Sequence, residues 1–169
     1  NLGAPGGLIA RQGSEGNWRL SEFSGEIIST AFALDALARH GVDDREAAVL
    51  RGGEWLRSVQ NADGGWGESA EHAAGEAPSS AVRTACAVAG LVAGGDAGSE
   101  SVRRGIDYLV RTQIEGGGWS DAGYNWALLP GLVESRSSLD PLTLPLMALT
   151  TFLKHSETGS MAGLPGVRR

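Results

Sequence analysis

Three stretches of this chain are written in one grammar, and that repetition limits the folds open to it. Arg51 to Trp66 reads RGGEWLRSVQNADGGW, and Arg104 to Trp119 reads RGIDYLVRTQIEGGGW. A shorter copy near the start, LIARQGSEGNW, keeps Gln12, Gly16 and Trp18. In each copy Gln is followed by three residues, Gly, one residue and Trp, and the three glutamines stand 48 and 53 residues apart. Self-similarity at such a period marks a repeat architecture, in which a unit cannot bury its apolar face alone and stacks on its neighbours. Each copy begins as a helix. Val49, Trp55, Leu56 and Val59 fall near one face in the second copy, and Val102, Ile106, Leu109 and Val110 do so in the third. The glycines then stop the helix, because they take positive φ without a steric cost. At such a stop, Gln12, Gln60 and Gln113 are placed to reach free backbone groups at a neighbouring helix end. The faces of Trp18, Trp66 and Trp119 suit stacking by that Gln or by a guanidinium. Gly16, Gly64 and Gly117 complete a set of nine residues read as structural staples, not as catalysts.

Between the copies the chain reads as further helices. Residues 1–7 are rich in Gly and Pro and are expected to be loose. Residues 8–12 read as the tail of an outer helix. IISTAFALDALARH, residues 27–40, reads as an inner helix with Ile28, Ala31, Phe32, Leu34 and Leu37 apolar and Gly41 as its stop. Residues 45–60 form the next outer helix. A polar loop with Glu68, Glu71, His72 and Glu76 follows. Pro78-Ser79-Ser80 opens a second inner helix running to about Ala93. Ser99 is a candidate cap for a third outer helix at 100–113. Residues 120–140 are irregular. A last inner helix is expected at 141–155, with Pro145 kinking it or marking its first turn. Residues 156–169 are expected to be disordered. The organisation is therefore a helical repeat at 8–155 between two loose ends, all-α throughout.

This pattern resembles the QW repeat of the squalene-hopene and oxidosqualene cyclases. VQNADGGWGES, PSSAVRTACAVAGL, VRRGIDYLVRTQIEGGGW and LPLMAL also follow in the order and at the spacings of that family's C-terminal part. The resemblance covers about residues 10–153. It implies helix hairpins forming part of an α-α toroid, the fold of class II terpene cyclases and of protein prenyltransferase β subunits. Such a ring needs about twice the helices counted here, so the remainder of the toroid is an expected partner, and a first residue other than Met fits a piece of a longer protein. The implied activity is proton-initiated cyclisation of a polyisoprenoid, with a squalene-like molecule or a prenyl diphosphate as substrate. That chemistry needs a carboxyl held protonated within a D-x-D-D motif. This chain has none; Asp43-Asp44 reads as a helix cap. No catalytic residue is therefore expected in the chain itself.

The resemblance also points to a cavity wall. The family's aromatic segment W-x-x-R-W-G-x-x-Y falls on Trp18 to Glu26, where Glu22 and Glu26 replace aromatics. The pattern G-F-P-x3-F-x3-Y-x2-Y falls on Leu128, Leu129, Pro130, Val133, Ser137 and Asp140, of which only Pro130 agrees. Arg83 stands where the family usually has Gln; turned inward, it could hold a diphosphate or pair with a Glu. Trp126 is the one aromatic read as lining. The candidate lining set is thus Glu22, Glu26, Arg83, Trp126, Leu129, Val133, Ser137 and Asp140, with Glu134 and Arg136 as further charges that line the cavity if they face inward. Polar walls fit a cyclase for another isoprenoid, such as a diterpene cyclase, or a non-catalytic toroid module that binds an isoprenoid or a protein partner.

Composition removes several classes. The net charge is −6 with mixed signs along the chain, and no basic stripe marks a nucleic-acid partner. One cysteine, Cys86, excludes a disulfide framework and is compatible with a reducing compartment, hence the cytoplasm. No metal site is expected. His72 among carboxylates is a weak ligand set, His40 suits a helix end, and Cys86 lacks the preceding Asp of the zinc prenyltransferases, Thr84 standing there, which leaves a prenyltransferase β-subunit-like protein as a minor alternative. No cofactor is implied, with Mg2+ entering only for a diphosphate substrate. No spanning segment is visible. The resemblance leaves peripheral membrane contact open, though no stretch here is amphipathic enough to supply it alone.

Overall fold

The computed structural model describes residues 5–19, 25–39, 45–68, 76–120 and 140–161. Six helices follow in order: α1 (Pro5–Ile9), α2 (Glu26–Arg39), α3 (Arg45–Ser58), α4 (Ala81–Ala93), α5 (Glu100–Arg111) and α6 (Asp140–Met161). Helix α4 is the hub. It packs between α2 and α6 on one layer and receives α5 and α3 from the other, while α2 lies on α3 and α1. The layers are therefore α2, α4 and α6 inside and α1, α3 and α5 outside. Among the described residues the only β feature is a bridge between Trp66 and Ser80, which fastens the second glycine turn to the start of α4.

Local chemistry sets the helix ends. Ser80 and Ser99 accept from the backbone N–H of Arg83 and Val102, each at 3.2 Å, and so cap α4 and α5. A serine cap of this kind is worth about 1 kcal/mol. Helix α4 stops at Gly94-Gly95, where Gly95 takes φ 92° and Asp96 N–H donates back to the Leu91 carbonyl. Helix α1 begins at Pro5, where a missing N–H costs nothing, so residues 5–7 are helical rather than loose. Helix α6 passes His155 and runs to Met161, beyond the expected end. Gly159 weakens a helix by about 1 kcal/mol but does not break it. Pro145 lies inside α6.

Two periodic assignments are corrected. Phe32 is 48% exposed, and Ile27 is buried in its stead alongside Leu34 and Leu37. The buried arc of α2 is wide, and Phe32 lies on the stripe it leaves uncovered, with Asp35 and Arg39. Val110 is 58% exposed, whereas Tyr108 is buried and donates its hydroxyl proton to the Ser79 carbonyl. Val102, Gly105 and Leu109 hold the core face of α5, and Val110 points away from it.

Two adjacent glycines in α3 separate packing from propensity. A Cβ on Gly52 would lie 2.8 Å from the Trp18 ring and 2.9 Å from Leu34, whereas one on Gly53 would meet nothing closer than 3.5 Å. Gly52→Ala is expected to destabilise by about 1–3 kcal/mol through overpacking. Gly53→Ala is expected to stabilise by about 0.5–1 kcal/mol through helix propensity. Urea denaturation of both variants checks the pair; equal effects would contradict the packing.

Candidate functional site

The glycine turns form staples whose chemistry differs from the expected one. Gln12 donates through Nε2 to the Gly16 carbonyl at 2.9 Å and to the Ala48 carbonyl at 2.8 Å. Gln60 repeats this with the Gly64 carbonyl at 2.8 Å and the Ser101 carbonyl at 2.9 Å. Ala48 and Ser101 lie in the first turns of α3 and α5, where the orphan groups are N–H, not C=O. The amide thus adds a second bond to an in-helix carbonyl instead of satisfying a free terminus. Its oxygen accepts from the arginine of the following helix, Arg51 for Gln12 and Arg104 for Gln60. Arg104 also reaches the carbonyls of Asn61 at 3.0 Å and Ala62 at 2.9 Å.

The tryptophans do not serve as platforms for these groups. Trp18 and Trp66 are fully buried, and their indole N–H donates to the carbonyls of Leu8 and Leu56, at 2.8 and 2.7 Å. Their backbone N–H donates to the hydroxyls of Thr30 and Thr84, at 2.9 and 3.0 Å. Above the rings lie Gly52 and Gly105; a Cβ on Gly105 would stand 2.9 Å from Trp66. Each of these two staples therefore joins an outer helix, its turn, the next inner helix and the next outer helix.

The third staple is half made. Gln113 bonds its own turn at the Gly117 carbonyl, and the Trp119 indole donates to Leu109, as in the other two. Among the described residues no second carbonyl meets Gln113 and no hydroxyl meets the Trp119 backbone N–H. Aligning LPLMAL with FALDAL and CAVAGL places Leu142 where Thr30 and Thr84 stand.

At the N-terminal ends of the inner helices a charged cluster gathers around Glu68. Its carboxylate accepts from the backbone N–H of Glu26 at 2.8 Å and of Ile27 at 3.1 Å. Helix α2 begins after Gly25, which has no side chain to cap it, and Glu68 supplies the cap from 42 residues away. A Cβ on Gly25 would overlap the carboxylate, so a side chain there would push Glu68 off the cap. Arg83 Nε lies 3.8 Å from Glu68 Oε1, and Glu26 pairs with Arg19 at 3.0 Å. Glu68 is nearly buried. Burial pushes its carboxyl above the usual range, against the opposing pull of Arg83 and of the two N–H donors.

Of the expected lining residues, the structure brings Glu26 and Arg83 together, through Glu68. Asp140 opens α6. Glu22, Trp126, Leu129, Val133 and Ser137, with Glu134 and Arg136, lie outside the described residues, as do His40, Asp43, Asp44, Glu71 and His72. Sequence reading missed three things: Glu68 as a cap, the Thr30–Thr84 pair and the glycines over the tryptophans. Each had a signal: a helix start with Gly25 at the cap, a Thr-Ala step at the same point of both inner helices, and Arg-Gly opening both complete repeats.

A groove of about 340 Å3 runs over α4 between α2 and α6. Ala85, Ala89 and Gly90 are its floor, and Phe32, Leu144 and Met147 rise beside it. Gly90 approaches α2 so closely that a Cβ would stand 2.7 Å from the Ala31 backbone. Cys86 is buried at the groove. Among the described residues no three His, Cys, Asp or Glu side chains are grouped to hold a metal, and no helix is long and apolar enough to cross a membrane.

The comparisons with known proteins agree with this architecture. The family model of the squalene-hopene cyclase C-terminal domain matches residues 7–154. A squalene–hopene cyclase of Bradyrhizobium diazoefficiens is 34% identical over 159 residues, which is 90% of this chain and 24% of that protein. One of Zymomonas mobilis is 34% identical over 151 residues, 86% of this chain and 23% of that protein. The chain thus spans about a quarter of the length of the curated relatives it matches. Among solved structures, a type II terpene cyclase from Scytonema, in complex with merosterolic acid A, superposes with a TM-score of 0.59 at 22% identity. That superposition covers 70% of this chain and 34% of the other. It shows the fold: the helix layers here are part of an α-α toroid.

Two outcomes test the site's construction. Gln60→Ala is expected to cost about 1–2 kcal/mol, since it leaves two bonded partners in a largely buried joint. Gln113→Ala should stay within about 0.5 kcal/mol, as exposed substitutions do. Chemical denaturation of both variants decides it, and equal losses would contradict the half-made third staple. For Glu68, a folded-state value raised above the ordinary 4.5 means that the protonated form favours the fold. That contribution is complete below the ordinary carboxyl range and is lost as pH rises through the raised value. The melting-temperature lead of the wild type over Glu68→Gln is therefore expected to narrow as pH rises from the ordinary carboxyl range through the raised value. A lead that widens would contradict the raised direction.

Proposed function

The chain belongs to the squalene-hopene cyclase C-terminal domain family, and from that premise we propose that it is an arc of a class II terpene cyclase. Its inner helices and the loops at their N-terminal ends form part of the wall around a polyisoprenoid. The acid that starts cyclisation, a D-x-D-D aspartate, comes from a segment outside this chain. The observation that carries this reading is the family match over residues 7–154, on a fold whose inner helices stand side by side behind the staples.

The wall's task is passive but demanding. A carbocation must travel along the substrate without meeting water or a nucleophile, so the wall has to be dry and shaped. Staples that fix α2 and α4 to the outer layer supply shape. Glu68 fixes the start of α2 and leaves no loose helix end at that rim. The same geometry bears on substrate class. Arg83 Nε lies 3.8 Å from the Glu68 carboxylate, which offsets part of its charge. This supports an uncharged, squalene-like substrate over a prenyl diphosphate, and with it a reaction that needs no metal.

The test is an assay of a longer protein carrying this chain, with squalene and geranylgeranyl diphosphate offered separately and products read by gas chromatography and mass spectrometry. A cyclised triterpene from squalene is expected, lost by at least about a thousand-fold when the middle Asp of the D-x-D-D is changed to Asn. Turnover of the diphosphate alone would overturn the substrate class. A folded protein that cyclises neither would leave a binding module in place of an enzyme.

A further inference from the structure

The groove over α4 exists because side chains are missing from its floor. Ala85, Ala89 and Gly90 put small residues along one side of the helix. Gly90 meets α2 so closely that a Cβ would stand 2.7 Å from the Ala31 backbone, so α2 cannot settle further onto α4 and close the space. The banks are apolar and bare. Phe32 rises from α2 and Met147 from α6, at 48% and 62% exposure, with Leu144 beside them. Large apolar side chains exposed together mark a contact surface.

The two ends of the groove differ. At one end, Ala85 follows Arg83 by two residues and Phe32 follows Glu26 by six, so this end lies within two turns of the charged rim. At the other end stand Thr151, His155 and the pair Asp35 and Arg39, bonded to each other at 2.9 and 3.0 Å. A hydrocarbon gains nothing by passing these groups, so they form a stop. From Ala85 to Ala93 the floor runs eight residues, about 12 Å at the helical rise. An extended carbon chain of about two isoprene units has roughly that reach. The volume of about 340 Å3 lies at the lower end of the range of small-molecule pockets, about 300–1,000 Å3. A further helix seated on Phe32 and Met147 would leave the floor beneath it void, which packed interiors avoid. A slender hydrocarbon chain reaches the floor.

Resting on the reading of this chain as an arc of a polyisoprenoid cyclase, we propose that the groove is a length gauge for the substrate. It takes the end remote from the reacting group, about two isoprene units deep, and the Asp35–Arg39 end sets where that chain stops. Phe32 and Met147 flank the chain, and Ala89 in mid-floor leaves it room. Specificity for a long isoprenoid is then a property of α2, α4 and α6, separate from the acid that starts the reaction.

The test uses a longer protein that carries this chain. Squalene and the shorter geranylgeraniol are offered in turn, and kcat/KM is measured for each. Ala89 is half-buried at the groove, so a larger residue there grows into the groove and not into the core. Ala89→Phe should lower kcat/KM for squalene by about ten-fold or more and leave that for geranylgeraniol within about two-fold. Ala89→Leu is the milder variant, read by the same ratio, should Ala89→Phe impair folding. Equal losses on both substrates, or none on either, overturn the gauge. A geraniol bearing a photoreactive diazirine reads the groove without turnover. Its crosslinks, mapped by mass spectrometry, should fall at Phe32, Cys86 or Met147 and disappear in Ala89→Phe. Crosslinks confined to other residues overturn the gauge even where squalene is cyclised. Crosslinks in the groove of a protein that cyclises neither substrate support the hydrocarbon site and count against the cyclase reading alone.

Discussion

The joint between a tryptophan and the backbone of the helices around it is the constraint on which the other features rest. Magnitudes show how the labour divides. A buried Trp removes roughly 150–250 Å2 from water, an upper bound of about 4–6 kcal/mol per ring. A net hydrogen bond from Gln or from the indole adds about 1 kcal/mol. Burial therefore dominates the energy, while the hydrogen bonds decide which carbonyls the ring sits between. Because Gly52 and Gly105 carry no side chain, the ring can lie directly on the helix. Thr30 and Thr84 then lock the turn to the inner layer. One residue type in each place fixes the relation of four segments, which is why the motif can be repeated to build an arc.

The inner layer inherits its order from these joints and adds a second device of its own. Glu68 leaves the second turn and caps a helix begun 42 residues earlier, so the two repeats are held at the rim as well as at the staples. Placing a carboxylate there costs solvation, and the raised titration of Glu68 records that cost. Two backbone donors and Arg83 offset part of it. The consequence is that Arg83 faces a carboxylate at a point where the sequence by itself would have allowed an anion site.

Much of the framework was legible in the residues because staples and caps are short-range chemistry. Gly16, Gly64 and Gly117 take φ of 101°, 89° and 87°, a demand that only glycine meets cheaply, and a three-fold spacing reveals it. Ser80 and Ser99 announce their helices in the same way. What could not be read was which face of a helix meets which neighbour. Phe32 and Ile27 are both apolar, and only the wide contact of α2 with α4 decides between them. The direction of the glutamine bonds was likewise hidden, since a donor near a helix end looks the same whether it meets a free group or an occupied carbonyl. Glu68 was read as a loop carboxylate because its partner lies two segments back in the chain.

The three staples are joints of unequal completeness, although each makes its indole N–H bond. Hydrogen exchange at the indole protons of Trp18, Trp66 and Trp119, followed by NMR in deuterated buffer, tests this directly. Trp18 and Trp66 are predicted to exchange only with global unfolding, tracking the stability measured by denaturation, and Trp119 to exchange through a smaller local opening. Equal rates at all three, or exchange at Trp66 faster than at Trp119, would contradict it.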